Sequence, residues 1–566
     1  MRYLALAVDY DGTVAVEGRI PPRAASALER VRASGRRVIL VTGRRLEPLL
    51  ADCADVQLFD YVVAENGGLL YRPKNGELFM LAEPPRRKLV EQLREREVPL
   101  EIGAVIVATT TKYMTRVLES IQDLGFEVQI IFNRGALMLL PPGVNKASGL
   151  EQAVRRLALS RHEVVGVGDA QNDHSFLDYC ECAIAVADAI ESVRDVAAWV
   201  TNSPGADGVV EAIDELIAED LVRLEGKLKQ KLVLGTNAEG SPVWVPPYGR
   251  NVLLAGPSGS GKSTFATALI EQLIEEAYQV CVVDPEGDYG TLQQVVSLGN
   301  QRRSPSTNEV LGIIENPKIN VSVNLLGIPL GDRPAFLAQL LPSLIAMRAR
   351  TGRPHWIVLD EAHHMMPAIW GHAVSTLPLK LGETLVLTVH PEHLAPELLA
   401  LVEVAIAIGP SPRETLQKFS LAAGRPLLWP SDLSIDNGWV ATWLVHEPSG
   451  PFAVKPVVGR AERMRHYRKY AEGNVWQSFY FRGRNEKHNL KAQNLGIFAQ
   501  IAEGIDEDTW LYHLHRSDYS RWFRDVIKDK YLAEQTEAIE RRHDLSTEET
   551  RKLIRSLIQA RYTLPD

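Results

Sequence analysis

Short apolar runs alternate with amphipathic stretches along the first 220 residues, and the runs end in polar residues. Tyr3–Val8 is such a run and ends at Asp9, while Val38–Val41 ends at Thr42. Residues 21–34, which lie between these runs, have helical periodicity. Buried parallel strands read as continuous apolar runs, whereas helices repeat their apolar positions about every 3.6 residues. The pattern predicts a doubly wound α/β sheet whose strand ends form a ligand-binding edge.

The same alternation returns in the middle of the chain. Strands are predicted at Asn251–Ala255, Gln279–Val283, Trp356–Leu359 and Leu385–Val389, which indicates a second α/β domain. Near the C-terminus, aromatic and apolar residues follow mixed helical spacing, and Thr550–Tyr562 is amphipathic. This last region is therefore predicted to be a mostly helical module.

Length and composition fit several domains. The 566 residues exceed the roughly 150 expected of one domain, and 45% of them are hydrophobic. We predict domains at residues 1–222, 223–458 and 459–566. The formal net charge of -9 argues against a surface coated in basic residues for unspecific nucleic-acid binding.

Four cysteines in a chain of this length do not make a disulfide framework, and we expect buried thiols. No apolar run approaches the roughly 18 residues needed to cross a bilayer, so we expect no membrane partner and a cytoplasmic location.

The polar residues at the ends of the first strands suit phosphoryl transfer. Asp9 is placed to attack phosphorus, and Asp11 to protonate the leaving oxygen and then activate water. The Thr42 hydroxyl is suited to bonding the phosphoryl oxygens, and Lys146 to neutralising their charge.

Further carboxylates follow the predicted strand Val164–Val167, at Asp169 and Asp173. Clustered carboxylates would repel a phosphate unless a cation lay between them. The sequence therefore predicts Mg²⁺, with ligands among Asp9, Asp11, Asp169 and Asp173.

These motifs, namely DYDGT, VTGR, Lys146 and GDAQND in this order, resemble the haloacid dehalogenase superfamily. The similarity is to its subclass of Cof-type and sucrose-phosphatase-like sugar phosphatases, and it covers residues 1–220. The resemblance implies Asp9 as nucleophile, Asp11 as acid and base, Asp169 and Asp173 as Mg²⁺ ligands, and Asn172 as an orienting residue. It also implies an inserted α/β cap at about 84–140 that selects the phosphomonoester substrate.

A second motif, GPSGSGKST, connects a predicted strand to a helix. Backbone N–H groups of such a loop surround a β-phosphate, Lys262 reaches the phosphate oxygens, and Ser263 is a ligand for Mg²⁺. The sequence predicts a nucleoside triphosphate, ATP or GTP, as a ligand, held by Gly256, Gly259, Gly261, Lys262, Ser263 and Thr264.

The ends of the next predicted strands suggest hydrolysis of that nucleotide. Asp360 suits Mg²⁺, Glu361 is placed to polarise an attacking water, and His390 stands where a γ-phosphate sensor is expected. With DPEGDY at Asp284–Tyr289, the segment resembles the HerA/FtsK class of DNA-translocating ATPases over residues 230–430. Two features depart from that class: His390 replaces the usual glutamine, and the phosphatase takes the place of the N-terminal barrel.

Ring-forming members of this class need an arginine that reaches the neighbouring nucleotide. The candidates are Arg348, Arg350, Arg353 and Arg413, and the resemblance makes a homo-oligomer, plausibly a hexamer, a hypothesis. Nucleic acid is a second hypothetical partner, because the segment after Ala461 mixes basic and aromatic residues. The competing interpretation is that Trp510, Tyr519 and Trp522 belong to a helical core.

Three functions stay open from the sequence. The first is a bifunctional phosphomonoesterase and ATPase. The second is an end-processing enzyme of the polynucleotide kinase-phosphatase kind. The third is a sugar-phosphate phosphatase with a nucleotide-gated regulatory or assembly domain.

Overall fold

The computed structural model describes residues 1–133, 135–290, 292–368, 381–459, 478–527, 529–542 and 544–562. It divides into two compact units, Met1–Val457 and Val458–Asp566. The first unit contains two large sheets, each with its own layer of helices.

The N-terminal part of the first unit is built from twelve strands. They are β1 Ala5–Asp9, β2 Arg37–Val41, β3 Tyr61–Ala64, β4 Leu69–Arg72, β5 Glu77–Met80, β6 Glu101–Ile102, β7 Val107–Thr110, β8 Gln129–Asn133, β9 Ala136–Leu140, β10 Val164–Gly168, β11 Cys182–Ala185 and β12 Trp199–Val200. The helices are α1 Pro22–Ala33, α2 Leu46–Asp52, α3 Arg87–Glu95, α4 Met114–Leu124, α5 Lys146–Arg156, α6 His174–Tyr179, α7 Glu191–Arg194 and α8 Gly205–Glu219.

Eight of these strands form one sheet in the order β12-β11-β10-β1-β2-β3-β4-β5. The strands from β12 to β3 are parallel, and β4 and β5 add an antiparallel edge. Helix α1 shows why the sequence folds this way: it buries Ala24, Ala27, Leu28 and Val31, which share one helical face. The predicted doubly wound sheet is confirmed.

A separate antiparallel sheet, β6-β7-β9-β8, lies between β5 and α5 in the chain and carries α3 and α4. It has its own small core, in which Leu93, Val117 and Leu137 are fully buried. This inserted module is called the cap below.

The central part of the first unit is an eleven-stranded sheet. Its strands are β13 Leu232–Thr236, β14 Pro242–Val245, β15 Asn251–Ala255, β16 Val280–Asp284, β17 Val295–Leu298, β18 Asn320–Asn324, β19 Trp356–Leu359, β20 Thr384–Thr388, β21 Val404–Ile408, β22 Val440–Leu444 and β23 Phe452–Pro456. Its helices are α9 Lys262–Glu275, α10 Thr307–Ile314, α11 Arg333–Thr351, α12 Pro396–Ala400 and α13 Pro412–Ala423.

The strand order is β14-β13-β23-β22-β21-β15-β20-β19-β16-β18-β17. All strands from β21 to β17 are parallel, and β15 lies between β21 and β20. This is the predicted RecA-like domain. Residues 232–245 form the β13–β14 hairpin, and β13 also pairs with the distant strand β23.

The two sheets of the first unit meet at the N-terminal ends of their strands. His355 Nε2, just before β19, lies 2.7 Å from Glu163 Oε1, just before β10. Tyr278, before β16, donates its hydroxyl to Glu181, before β11, at 3.2 Å. Because ligands of such sheets bind at the C-terminal strand ends, each candidate centre lies at the ends of its strands that point away from this contact.

The second unit has a hairpin and five helices among its described residues. They are β24 Phe479–Phe481, β25 Leu490–Ala492, α14 Leu495–Gly504, α15 Glu507–Leu514, α16 Asp518–Asp525, α17 Lys530–Glu540 and α18 Thr547–Tyr562. Ser546 and Glu549 exchange hydrogen bonds at the start of α18. The five helices confirm the predicted mostly helical fold.

Candidate active sites

The first site lies at the C-terminal ends of β1 and β10. Asn145 caps α5 and exchanges hydrogen bonds with Ser148, so that Lys146 occupies the first turn of the helix. From there the Lys146 ammonium reaches Asp9 Oδ1 and Asp173 Oδ1, each at 2.5 Å. All three side chains are buried, so the sheet holds a lysine between two carboxylates away from water.

Asp169 completes this group of charges. Its carboxylate accepts a hydrogen bond from Thr13 at 2.7 Å, and oxygens of Asp9, Asp169 and Asp173 all lie within 4.8 Å of one another. Among the described residues this is the only group of three such side chains close enough to share a metal ion. Burial and the neighbouring Asp173 raise the pKa of Asp9 well above its ordinary value, although Lys146 opposes that shift.

Asp11 lies at the mouth of the site, and its carboxylate is outside the three-carboxylate group. Arg44 Nε and Nη2 donate to its two oxygens at 2.8 and 2.7 Å. Thr42 is buried beneath them and accepts a hydrogen bond from the Arg44 N–H. The sequence motif VTGR included Arg44, but only the structure shows that it holds Asp11.

A cavity of about 320 Å³ opens above Asp9. Asp11, Thr42 and Lys146 line its floor, and Ile106 and Met138 of the cap line its roof. Asp9, Asp11, Thr42, Lys146 and Asn172, all predicted from the sequence, therefore line one open cavity between the sheet and the cap.

The second site lies where β15 meets α9. Gly259 and Gly261 have positive φ angles of 75° and 100°, which side chains with a Cβ rarely adopt. A Cβ at Gly256 would approach the carbonyl oxygen of Ile408 to 2.1 Å. Lys262 begins α9 and donates to the carbonyl oxygens of Gly256 and Pro257, at 2.9 and 3.1 Å. The loop therefore folds around its lysine, and Ser263 and Thr264 follow in the first turn of α9.

Two acidic residues follow β19 and face this loop. Burial and the adjacent Glu361 raise the pKa of Asp360 to about 7, and burial also raises the pKa of Glu361, against the effect of Lys262. In the part of the chain that the structure describes, Glu361 Oε2 is buried and has no hydrogen-bond partner. Glu361 also adopts a left-handed backbone conformation, with φ of 44°.

His390, the predicted sensor, follows β20, but a second histidine lies closer to Glu361. Strand β20 ends at Thr388, whose hydroxyl lies 3.1 Å from His363 Nδ1, and His363 Nδ1 lies 3.4 Å from Glu361 Oε2. His390 is half exposed and is paired with Glu392 at 3.4 Å. His363, which the sequence did not single out as a nucleotide-site residue, is thus the histidine in direct contact with Glu361.

Two of the four candidate trans-acting arginines are excluded by their positions. Arg353 is fully buried and donates to the Ala158 carbonyl oxygen at 2.7 Å. Arg348 donates to the carbonyl oxygens of Leu381 and Gly382 and is mostly buried. Both arginines hold their own chain together, whereas Arg350 and Arg413 are exposed.

In the second unit, the aromatic residues that the competing interpretation assigned to a helical core are indeed core residues. Trp510, Tyr519, Trp522 and Phe523 are at most 6% exposed. The basic-aromatic segment from Ala461 to Gln477 lies outside the described residues. The four cysteines are buried and unpaired, as expected, and no described helix is long and apolar enough to span a bilayer.

Comparison with known proteins identifies the family of the domain that carries the first site. Residues 6–95 and 86–213 match the family of haloacid dehalogenase-like hydrolases. The phosphoglycolate phosphatase of Methanothermobacter thermautotrophicus is 31% identical over 225 residues, which cover 37% of this chain and 96% of the relative. The chain belongs to the haloacid dehalogenase-like hydrolase family.

Other relatives of this hydrolase family cover the same region. The phosphoglycolate phosphatase of Haloarcula marismortui is 31% identical over 218 residues, or 37% of this chain and 95% of its own. A crystal structure of a haloacid dehalogenase-like hydrolase from Bacteroides thetaiotaomicron covers 38% of this chain and 100% of its own, with a TM-score of 0.34 and 20% identity.

A second match covers residues 248–331, which are similar to the central domain of the helicase HerA. The chain therefore carries a haloacid dehalogenase-type phosphatase domain followed by a HerA-like ATPase domain, as the sequence predicted. It is an enzyme with two centres.

Proposed function

We propose that the phosphatase domain is a Mg²⁺-dependent phosphomonoesterase that acts through a phosphorylated Asp9. The observation that carries this proposal is the position of Asp9 on the floor of the cavity, with Lys146 and two further carboxylates around it.

The residues divide the reaction between them. Asp9 Oδ attacks phosphorus and forms an acyl phosphate, while Asp11 gives a proton to the departing alcohol oxygen. In the second half, Asp11 takes a proton from water, the water oxygen attacks phosphorus, and the Asp9 carboxylate is released with phosphate. Thr42 and Lys146 bond the phosphoryl oxygens, and Arg44 keeps the Asp11 carboxylate at the cavity mouth.

The residues of this site fit Mg²⁺. Asp9, Asp169 and Asp173 offer only oxygen atoms, which Mg²⁺ prefers, and Lys146 contacts two of these three side chains. When bound, the ion would neutralise charge on the phosphate.

For the ATPase domain we propose binding of ATP by residues 256–264 and hydrolysis with Glu361 as the residue that polarises water. Glu361 Oε2 is buried, lies 3.4 Å from His363 Nδ1 and makes no hydrogen bond within the described residues. This supports the role, because a buried acceptor without a hydrogen bond is costly unless a ligand such as water satisfies it. Asp360 would hold Mg²⁺ together with Ser263, and His390 remains a proposed γ-phosphate sensor.

A kinase-phosphatase is the weaker alternative. The two sheets touch at the N-terminal ends of their strands, and each centre lies at the C-terminal ends, which argues against one nucleic-acid end occupying both centres of one chain at once. A nucleotide-gated regulatory or assembly role, a hexamer and nucleic acid as a partner remain hypotheses.

A substrate screen tests the phosphatase proposal. The panel contains 2-phosphoglycolate, because the relatives are phosphoglycolate phosphatases, together with sugar phosphates and 5′- and 3′-phosphorylated oligonucleotides, each with Mg²⁺ or with EDTA. We expect Mg²⁺-dependent phosphate release from a small monoester. Phosphate release at the same rate in EDTA would contradict the proposed need for Mg²⁺. Phosphate release from oligonucleotides alone would favour an end-processing enzyme.

A further inference from the structure

A buried glutamate of the phosphatase sheet binds the backbone of the cap. Glu65 follows β3, and its carboxylate accepts hydrogen bonds from the N–H groups of Ala104, Val105 and Ile106 at 3.1, 2.8 and 3.0 Å. These three residues form the turn between β6 and β7 of the cap. Glu65 is only 2% exposed, so these N–H groups take the place of water at its carboxylate.

The next residue, Asn66, contacts a second segment of the cap, strand β9. Asn66 donates its side-chain amide to Met138 Sδ at 2.7 Å and accepts from Asn172 Nδ2 at 3.0 Å. Asn172 belongs to the GDAQND motif beside the carboxylate group. Asn66 therefore links the catalytic edge of the sheet to the cap strand β9.

The backbone is shaped for this double contact. Glu65 and Asn66 both have φ of 51°, which residues other than glycine seldom adopt. A Cβ at Gly103 would lie 2.5 Å from the Glu65 carboxylate, and a Cβ at Gly68 would lie 2.7 Å from Val105. The segment around Glu65 and Gly68 therefore packs directly against residues 103–105 of the cap, without space for a further side-chain atom. This close packing favours one position of the cap on the sheet.

Ile106 and Met138, the cap residues held in this way, both line the cavity above Asp9, together with Glu101, Ala108, Asn133 and Ala136 of the cap. We propose that Glu65 and Asn66 are positioning residues that clasp the cap onto the sheet and thereby determine which leaving group fits over Asp9. This inference rests on the proposed phosphatase function. Neither residue touches the reacting atoms, and their effect is on selection between substrates.

The experiment compares full-length wild type with Glu65→Gln and Glu65→Ala. Gln keeps one acceptor oxygen and places an N–H₂ group against a backbone donor, while Ala removes both acceptors. Amide hydrogen exchange of residues 104–106 measures how well the Glu65 carboxylate protects these N–H groups. The kcat/KM values for 2-phosphoglycolate, glucose 6-phosphate and p-nitrophenyl phosphate measure selection.

We expect exchange at 104–106 to become about tenfold faster in Glu65→Gln and faster still in Glu65→Ala. We also expect kcat/KM for the preferred substrate to fall about tenfold, which corresponds to about 1.4 kcal/mol, and the spread between the three substrates to narrow. KM should carry most of the change, because the groups at Asp9 are untouched.

Glu211→Gln is the matched control. Glu211 also accepts backbone N–H bonds, from Asn202 and Ser203, but it lies away from the cap, and its replacement should leave selection unchanged. Unchanged amide exchange rates at 104–106 in both Glu65 variants would overturn the inference. An equal fall in kcat/KM for all three substrates would also overturn it. A wild-type protein inactive on all three substrates would contradict the phosphatase proposal. The exchange data would still show whether Glu65 holds residues 104–106 of the cap.

Discussion

Asp9→Asn should remove phosphatase activity and make the protein more stable. Ionised Asp9 has the Lys146 ammonium at 2.5 Å and the carboxylates of Asp169 and Asp173 within 4.8 Å. With an effective dielectric constant near 20, each repulsion at that separation amounts to about 3.5 kcal/mol and the attraction to about 7 kcal/mol. The two repulsions offset the attraction, and the cost of burying the charge remains.

We therefore expect Asp9→Asn to raise the free energy of unfolding by about 1 to 3 kcal/mol at pH 8 without divalent cations. The sign follows from linkage. Because the folded-state pKa of Asp9 is raised, its contribution to stability is present at low pH and is lost as the pH rises through that value. The advantage of the variant over wild type should therefore be smaller at pH 5 than at pH 8.

Calorimetry in EDTA at both pH values measures this, and phosphate release measures activity. We expect turnover to fall by several orders of magnitude, because an amide cannot act as the nucleophile. Added Mg²⁺ should stabilise wild type more than the variant. Asp60→Asn is the contrasting control: Asp60 binds the Val38 N–H and Arg37, so its neutralisation should destabilise. A variant less stable than wild type at pH 8 in EDTA, or one that still turns over, would refute this reasoning.

Three further predictions concern the rest of the first unit. Lys262→Ala should abolish ATP binding, measured by equilibrium titration, whereas Glu361→Gln should bind ATP and not hydrolyse it; normal hydrolysis by Glu361→Gln would remove its assigned role. Light scattering of Glu361→Gln with ATP and Mg²⁺ should show an oligomer, and a monomer at micromolar concentration would contradict the ring. Burial raises the pKa of Glu163 to about 7, so the free energy of unfolding of wild type should fall by up to about 3 kcal/mol between pH 4.5 and 7. That of Glu163→Gln should not fall in this way. Chemical denaturation at both pH values measures the difference, and an equal change in the two proteins would contradict the prediction.

Much of both sites was predictable because it is local in the sequence. Apolar runs marked the strands, and parallel sheets bring the residues after their strands to one edge. Asp9, Thr42 and Asp169 converge for that reason, although they are far apart in the chain. The loop at 256–264 likewise needs only its own glycines and lysine to be recognised.

The sequence by itself determined which elements form and which chemical groups stand at their ends, because hydrophobic periodicity and strand-end position are written in neighbouring residues. Only the tertiary structure decided the contacts between distant segments. The Glu65 carboxylate meets an N–H group 40 residues away, and Arg353 meets a carbonyl oxygen 195 residues away. An arginine or glutamate looks the same in sequence whether it is solvated or buried, since its partners are chosen by packing.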